Sequence, residues 1–241
     1  MRIDPGARSH VALTIEEFGK DSANWYNSAD LSRLHRDVIM ADRPSHAFVD
    51  LDLTAPIWDR FFTVTPLVVI GTREEDGRYD FAPKHMAFPL GWDNYFGFIC
   101  TPRHQTYCNI GREGSFTVSF LRPEQVVLAS ISAAPRNEDD VKPALAALPS
   151  FASSVVAGAF LQDAYVFLGC QLDRIVDGFG INSLIAGRIV AARVQEAALR
   201  MSDRDDQEVL LQAPLLAYLS PGRYAKIERS FSFPFHTGFK R

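Results

Sequence analysis

Two short segments of this sequence carry side chains that could bind a negatively charged group. The first is Cys100-Thr101-Pro102-Arg103-His104-Gln105-Thr106. Thr101 is a preferred N-cap residue and Pro102 suits the first helical position, so this segment predicts the start of a helix. The unpaired N–H groups of that first turn, with Arg103 and His104 as further donors, would form a site suited to a phosphate. The alternative is a well-capped surface helix whose basic residues only face water.

The second segment is Asp80-Phe81-Ala82-Pro83-Lys84-His85-Met86, in which a predicted strand ends in Ala-Pro. Because proline cannot donate to a sheet ladder, this end leaves backbone groups unpaired. The edge of a flat heteroaromatic ring could use those groups, and Lys84 and His85 could complement negative charge on the ring or on a phosphate. The apolar side chains predicted to wall such a ring are Phe81, Met86 and Phe88. The alternative is an ordinary strand end, with Lys84 solvated and His85 at the surface.

The chain that must position these segments is a series of short apolar runs separated by turn residues. Between the first two runs, Glu75-Asp76-Gly77-Arg78 predicts a hairpin turn. The six predicted strands are Leu67–Ile70, Tyr79–Ala82, Tyr95–Cys100, Ser115–Leu121, Tyr165–Val176 and Leu184–Val194. The predicted helices are Asn27–Met40, Thr101–Arg112, Pro123–Ala133 and Asp139–Leu148. Closely spaced strands with few helices favour an all-β antiparallel barrel over a doubly wound sheet.

Composition narrows the class of protein. The chain has 241 residues, of which 47% are hydrophobic, and a formal net charge of −4. This charge argues against a protein that binds nucleic acid or coats an anionic membrane, and no stretch is long and apolar enough for a membrane span. Three cysteines at unrelated spacings and the lack of a signal-peptide pattern predict a cytoplasmic protein. No zinc-protease, serine-hydrolase or Walker A motif occurs, and Gly178-Phe179-Gly180 lacks the third glycine of a dinucleotide-binding loop.

Several motifs occur in a characteristic order between Trp58 and Ile227. Asp80-Phe81-Ala82-Pro83 follows the hairpin, and Arg103-His104-Gln105-Thr106-Tyr107-Cys108-Asn109-Ile110 precedes the strand Phe116-Thr117-Val118-Ser119. Near the end, Pro214 to Leu219 is followed by Gly222-Arg223-Tyr224. This order resembles the flavin reductase-like, FMN-binding split-barrel family. That family typically has Asn-x-Ala-Pro after the hairpin and a Lys/Arg-x-Thr-x-x-Asn-Ile helix before a Phe-x-Val-x strand.

The resemblance implies a six-stranded Greek-key split barrel that binds FMN non-covalently, and a homodimer whose interface helps to form each flavin site. Carried over by position, Phe81, Ala82 and Pro83 run along the isoalloxazine ring, whereas Thr101, Arg103 and Thr106 hold the ribityl phosphate. The full set of candidate cofactor-binding residues is Phe81, Ala82, Pro83, Lys84, His85, Met86, Thr101, Pro102, Arg103, His104 and Thr106. The implied organisation is an N-terminal extension (residues 1–55) packed on the barrel, the barrel itself (56–230) and a tail (231–241).

The activity implied by the resemblance is transfer of a hydride from NAD(P)H to flavin and then to an acceptor that the sequence does not identify. No catalytic side chain is predicted, because the flavin itself carries the chemistry. The chain departs from the family pattern with Asp80 in place of Asn, with Lys84-His85 after Ala-Pro, and with a turn at Gly178 to Asn182 that lacks the usual Gly-Asp-His. Two alternatives therefore stay open. One is a flavin-binding electron carrier or sensor without turnover; the other is the same barrel holding haem, a deazaflavin or pyridoxal phosphate.

Overall fold

A curled antiparallel sheet of seven strands is the framework of the molecule. The computed structural model describes residues 48–234; the predicted helix Asn27–Met40 therefore lies outside the described residues. The strands are β1 (Thr63–Pro66), β2 (Val68–Arg73), β3 (Tyr79–Lys84), β4 (Ala87–Pro89), β5 (Tyr95–Cys100), β6 (Ser115–Phe120), β7 (Ser150–Ala152), β8 (Ala159–Leu161), β9 (Val166–Phe179), β10 (Asn182–Val194), β11 (Leu215–Ser220) and β12 (Arg223–Ile227). The α-helices are α1 (Gln105–Glu113), α2 (Val126–Ser132) and α3 (Asp206–Gln212).

The strand order of the large sheet is β3-β2-β6-β9-β10-β5-β4, and each neighbouring pair is antiparallel. Two smaller sheets have the orders β1-β11-β12 and β7-β8. All six predicted strands are present in the large sheet, and the short strand β4 adds a seventh. The compact unit that contains every element named above is Asp52–Ser230. The prediction of an antiparallel all-β core with peripheral helices is confirmed.

The β2–β3 hairpin forms where turn chemistry predicts it. Gly77 has a φ of 86°, a conformation that glycine adopts without the steric penalty of a Cβ. Its N–H donates to the carbonyl of Glu74, and the N–H of Glu74 donates to the carbonyl of Arg78. The turn fixes the register of the hairpin, in which Ile70 lies opposite Ala82.

Strand β2 is buried on both faces, which explains why its sequence is a continuous apolar run. Val68 and Ile70 pack in one core cluster, together with Phe98 and Phe116. Val69, on the opposite face of the same strand, packs in a second cluster under α2 and β8. Since successive side chains of a strand point to opposite faces, both faces of β2 must be covered by other elements.

The prediction of a helix over Asp139–Leu148 is wrong for most of that range. Only a short 3-10 turn, Pro143–Ala147, forms there. The side-chain oxygen of Asn137 accepts hydrogen bonds from the backbone N–H groups of Asp139 and Val141 at 3.1 and 2.8 Å. These side-chain bonds satisfy the backbone locally and compete with a helix. Within residues 48–234, none of the helices combines the length and apolar character that crossing a bilayer requires.

Candidate functional site

The helix that follows the first candidate segment begins later than the sequence predicts. Helix α1 starts at Gln105, and its N-cap residue is His104, which makes no side-chain capping bond. Thr101 is therefore not the N-cap, and Pro102 is not in the first helical turn. Instead, the N–H of His104 donates to the carbonyl of Thr101 at 3.0 Å, which closes a tight turn. Proline is favoured at the second position of such a turn, and this preference determines the local structure here.

The start of α1 still presents unpaired donors. The N–H groups of Tyr107 and Cys108 donate to the carbonyl of His104, whereas those of Gln105 and Thr106 have no acceptor within residues 48–234. Free N–H groups at the positive end of a helix dipole attract an anion. Free donors of the kind expected from the sequence are present, but the helix begins three residues further along the chain than predicted. Anion binding at this position stays a prediction.

One contact joins the two candidate segments. Lys84 Nζ, at the end of β3, donates to Cys100 Sγ, at the end of β5, over 3.5 Å. The Cys100 thiol donates to the carbonyl of Thr101 at 3.7 Å, and its sulfur lies 4.0 Å from Nδ1 of His104. The Ala-Pro strand end and the loop before α1 therefore lie next to each other and form one candidate site. Sequence reasoning named both segments, and the fold brings them together.

The site is rich in basic groups that lack acidic partners. Lys84 and Arg103 form no ion pair with any acidic side chain in the described part of the chain, and Arg103 is exposed. Burial, together with the nearby Lys84 and Lys142, lowers the pKa of His104, while Asp80 opposes that effect. His104 is thus mainly neutral at pH 7. The permanent positive charge of the site comes from Lys84 and Arg103.

His85, like His104, is mainly neutral at pH 7. Burial is the main cause that lowers its pKa, and the charge of Lys84 lowers it further. Its ring stacks on Tyr218 of β11, with the ring centroids 4.6 Å apart. This contact links the end of β3 to the three-stranded sheet. His85 therefore has a packing role that the sequence did not indicate. Of Lys84 and His85, the two residues expected to complement negative charge on a ligand, only Lys84 remains for that role.

Strand β3 is the end strand of the large sheet, so one of its backbone edges faces away from β2. The carbonyl of Phe81 lies on that outer edge, because it accepts a hydrogen bond from Nζ of Lys142 at 2.9 Å. In an antiparallel strand, the residue two positions along, Pro83, presents its backbone to the same edge. The N–H that Pro83 lacks is therefore one that β2 would not have used, which explains how a proline is accommodated within the strand.

The predicted apolar walls are only partly in place. Met86 and Phe88 are 43% and 41% exposed beside the strand end. The side chain of Phe81, in contrast, is 2% exposed and packs in the second core cluster. Its backbone lies at the strand edge but its ring does not line the site, because alternation directs the ring into the core. Ala82 and Thr106 are also buried, at 8% and 2%.

The turn between β9 and β10 is connected to α1. Tyr107 Oη donates to Oδ1 of Asp177 at 3.3 Å, and Ser183 Oγ donates to the same oxygen at 2.6 Å. At the end of this turn Phe179 and Ile181 are 56% and 70% exposed. The turn that lacks the family histidine therefore presents apolar side chains.

Comparison with known proteins identifies the class to which this fold and site belong. A family model described as the flavin reductase like domain matches residues 60–227. This match spans most of the chain and all of the strands described above. The class is thus a flavin-related oxidoreductase family with a split-barrel fold.

Solved structures agree on the fold. Nitrilotriacetate monooxygenase component B from Bacillus cereus matches with a TM-score of 0.67 at 19% identity, covering 78% of this chain and all (100%) of that one. Flavoredoxin from Methanosarcina acetivorans matches with a TM-score of 0.63 at 16% identity, covering 80% and 97%. FMN-binding protein from Thermus thermophilus, with bound 1-cyclohex-2-enone, matches with a TM-score of 0.60 at 23% identity, covering 79% and 99%. The chain belongs to the flavin reductase-like domain family, and the split-barrel fold inferred from its sequence is confirmed.

Proposed function

We propose that this chain binds FMN and acts as an oxidoreductase of the flavin reductase type. NAD(P)H supplies the hydride, and the electrons pass to a second acceptor. The observation that supports this proposal best is the contact between Lys84 and Cys100. It places a free strand edge beside a group of unpaired donors and cations, which is the combination that a flat ring with a phosphate tail requires.

The residues present fit FMN by their chemistry. Two N–H donors at the start of α1 and the cations Lys84 and Arg103 match the double negative charge of a phosphate monoester. The Thr101 hydroxyl, beside them, makes no hydrogen bond with another described residue and is a further donor. Pro102 shapes the turn that carries Arg103. These groups would hold the phosphate end of FMN.

The ring end is proposed to lie along β3 from Ala82 to Lys84. At Phe81, the residue before that stretch, Lys142 already occupies the strand edge by donating to the backbone carbonyl. Met86 and Phe88 supply apolar surface next to the strand end. When bound, the flavin accepts a hydride and passes electrons on, and the protein orients the ring and sets the charge around it. Lys84 is placed to stabilise negative charge that develops on the ring during reduction.

A homodimer is part of the proposal. Several large apolar side chains are exposed, including Val64 at 66% and Trp92 at 89%. Exposed apolar surface of this kind is a common feature of subunit interfaces. Light scattering on the purified protein tests this expectation: a mass of one chain contradicts it. The cytoplasmic location stays a prediction.

A second candidate is an electron carrier or sensor that binds flavin but does not turn over NAD(P)H. The observation that favours it is the apolar β9–β10 turn, with Phe179 and Ile181 exposed and no histidine. The family resemblance places a histidine of this turn near the nicotinamide or substrate. Its absence removes one group that would assist pyridine-nucleotide reduction.

The experiment that tests both candidates starts with the absorbance spectrum of the purified protein and an FMN titration. A flavin spectrum with saturable binding supports the cofactor assignment, whereas haem, deazaflavin or pyridoxal phosphate would each give a different spectrum. Anaerobic mixing with NADH or NADPH follows. Reduction of FMN over many turnovers in the presence of an electron acceptor supports the enzyme, and bound flavin that no pyridine nucleotide reduces supports the carrier. A protein that binds no flavin contradicts both.

A further inference from the structure

A buried carboxylate lies directly behind the strand edge of the proposed flavin site. Asp80 on β3 is 1% exposed. Its Oδ1 is 2.9 Å from Nζ of Lys142 and 3.1 Å from a guanidinium nitrogen of Arg136. Neither approach has hydrogen-bond alignment, and Oδ1 has no hydrogen-bond partner among residues 48–234. The interaction of Asp80 with these two cations through Oδ1 is therefore chiefly one of charge.

The cation next to Asp80 is also in contact with the strand edge. Lys142 Nζ donates to the carbonyl of Phe81 at 2.9 Å and approaches that of Ser132 at 3.3 Å. Its side chain is only 13% exposed. The charge of Lys142 is thus held at the outer edge of β3, next to the stretch from Ala82 to Lys84.

The charges of this cluster cancel. Its largely buried members are the carboxylates Asp80 and Glu74 and the cations Arg136 and Lys142. Two more exposed groups of opposite charge also approach it: Arg78 lies 3.6 Å from Glu74 and Asp140 lies 3.6 Å from Arg136, with side chains 50% and 73% exposed, so solvent screens both. The largely buried groups, two negative and two positive, therefore carry no net charge. Without the charge of Asp80, the cluster would carry one positive charge. The charges of Lys142 and Asp80 also act on His104, because Lys142 lowers the pKa of His104 and Asp80 raises it.

We propose that Asp80 tunes the proposed flavin site by neutralising Lys142 at the edge of β3, so that bound flavin is harder to reduce than it would be beside an uncharged residue. The inference rests on the proposed function. Positive charge near a flavin ring favours its reduced form, which carries additional negative charge, and a carboxylate that cancels this positive charge has the opposite effect. In this proposal Asp80 acts on the flavin only through the charge of Lys142 and is not itself a catalytic residue.

The test compares Asp80→Asn with Asp140→Asn in the full-length protein. Asparagine keeps the shape of Asp80 and removes its charge. Asp140 also faces Arg136, at 3.6 Å, but is 73% exposed, so solvent screens its charge and its loss is expected to have little effect. Asp80→Asn is expected to shift the midpoint potential of bound FMN to a more positive value. The preference for reduced over oxidised FMN should increase roughly tenfold, as a unit charge in a partly screened site would produce. An unchanged potential in a folded Asp80→Asn protein contradicts the inference.

Two further variants distinguish this charge effect from a purely structural role of Asp80. Lys142→Gln should shift the potential to a more negative value, and the double variant Asp80→Asn, Lys142→Gln should return it close to the wild-type value because the net charge is restored. A double variant that keeps the shift of Asp80→Asn overturns the proposal. If Asp80→Asn does not fold, a Lys142→Gln protein whose potential equals that of the wild type overturns it as well.

A readout without flavin separates this inference from the proposed function. In the flavin-free protein, Asp80→Asn should lower the pKa of His104 further, as measured by NMR titration of its ring protons, and Asp140→Asn should not. Failure to bind FMN contradicts the proposed function while leaving this measurement valid. An unchanged His104 pKa in the Asp80→Asn protein contradicts the inference itself.

Discussion

Lys84 Nζ lies 3.5 Å from Cys100 Sγ, although the two residues belong to different strands of the large sheet. β3 and β5 lie near opposite ends of the strand order, so the contact requires the sheet to curl. The curl brings the end of β3 to the end of β5. The proposed flavin site is a product of this closure.

The contact gives a prediction for the Cys100 thiol. Burial raises the pKa of Cys100, and the charge and hydrogen bond of Lys84 oppose that effect. Lys84→Met should therefore raise this pKa further and slow alkylation of Cys100 at a fixed pH. The measurement is the pH dependence of iodoacetamide labelling, followed by peptide mass spectrometry so that the exposed Cys108 is read separately. Equal labelling profiles for Cys100 with and without Lys84 would show that the contact is not formed.

A second prediction concerns Arg103 and the phosphate. Arg103→Ala should weaken FMN binding by about 1.5–3 kcal/mol, the usual value of a charge-assisted hydrogen bond. Fluorescence titration of FMN measures this loss. Arg193→Ala is the matched variant, because Arg193 is also exposed and without an ion pair in the described residues but lies on β10. A similar affinity for both variants would remove Arg103 from the phosphate site.

A third prediction compares two glycines whose surroundings differ. A Cβ at Gly71 would lie 2.1 Å from the carbonyl oxygen of Ala159 and 2.5 Å from Oγ1 of Thr117, so Gly71→Ala forces backbone apart in the core. It should lower the free energy of unfolding by about 2 kcal/mol or more. A Cβ at Gly111, on an exposed face of α1, would meet no atom of the described residues within 4 Å. Gly111→Ala should raise stability by about 0.5–1 kcal/mol, since alanine favours helix.

Urea denaturation of the two alanine variants measures both changes. The opposite signs are the essential part of the prediction. A Gly71→Ala protein as stable as the wild type would mean that β2 and β8 are further apart than the structure has them.

The fourth prediction is a pH dependence of stability that comes from His85. Burial lowers its pKa in the folded state below the ordinary value of 6.5. As the pH falls below about 6.5, the unfolded chain binds a proton more readily than the folded one, so stability decreases. The loss continues until the pH falls below the folded-state pKa. His85→Phe keeps an aromatic ring on Tyr218 and removes the titrating group.

Thermal unfolding at about pH 7.5 and about pH 5.5 checks this expectation. The decrease in Tm between these values should be smaller for His85→Phe than for the wild type. His104 also has a lowered pKa and contributes in the same direction, so the variant should reduce the decrease without abolishing it. An identical decrease in the two proteins would show that His85 does not contribute to the pH dependence.

The sequence by itself determined six of the seven strands of the large sheet, the β2–β3 turn and the family. These features depend on local chemistry: apolar runs of strand length, a glycine at a positive φ in the turn at Gly77, and motifs in a fixed order. Ala-Pro at the end of β3 and the basic segment before α1 were also recognised from residue types alone. Local patterns specify such elements because each is decided by a few neighbouring residues.

Tertiary structure decided how the site is assembled. The start of α1 moved to Gln105 because the turn closed by Thr101 and His104 competes with the expected cap. The ring of Phe81 lies in the core rather than in the site. Lys142 reaches the carbonyl of Phe81 from 61 positions away in the chain. No local sequence pattern predicts a contact of that kind. It depends on how the curled sheet brings distant segments together and on which charges are buried with their partners.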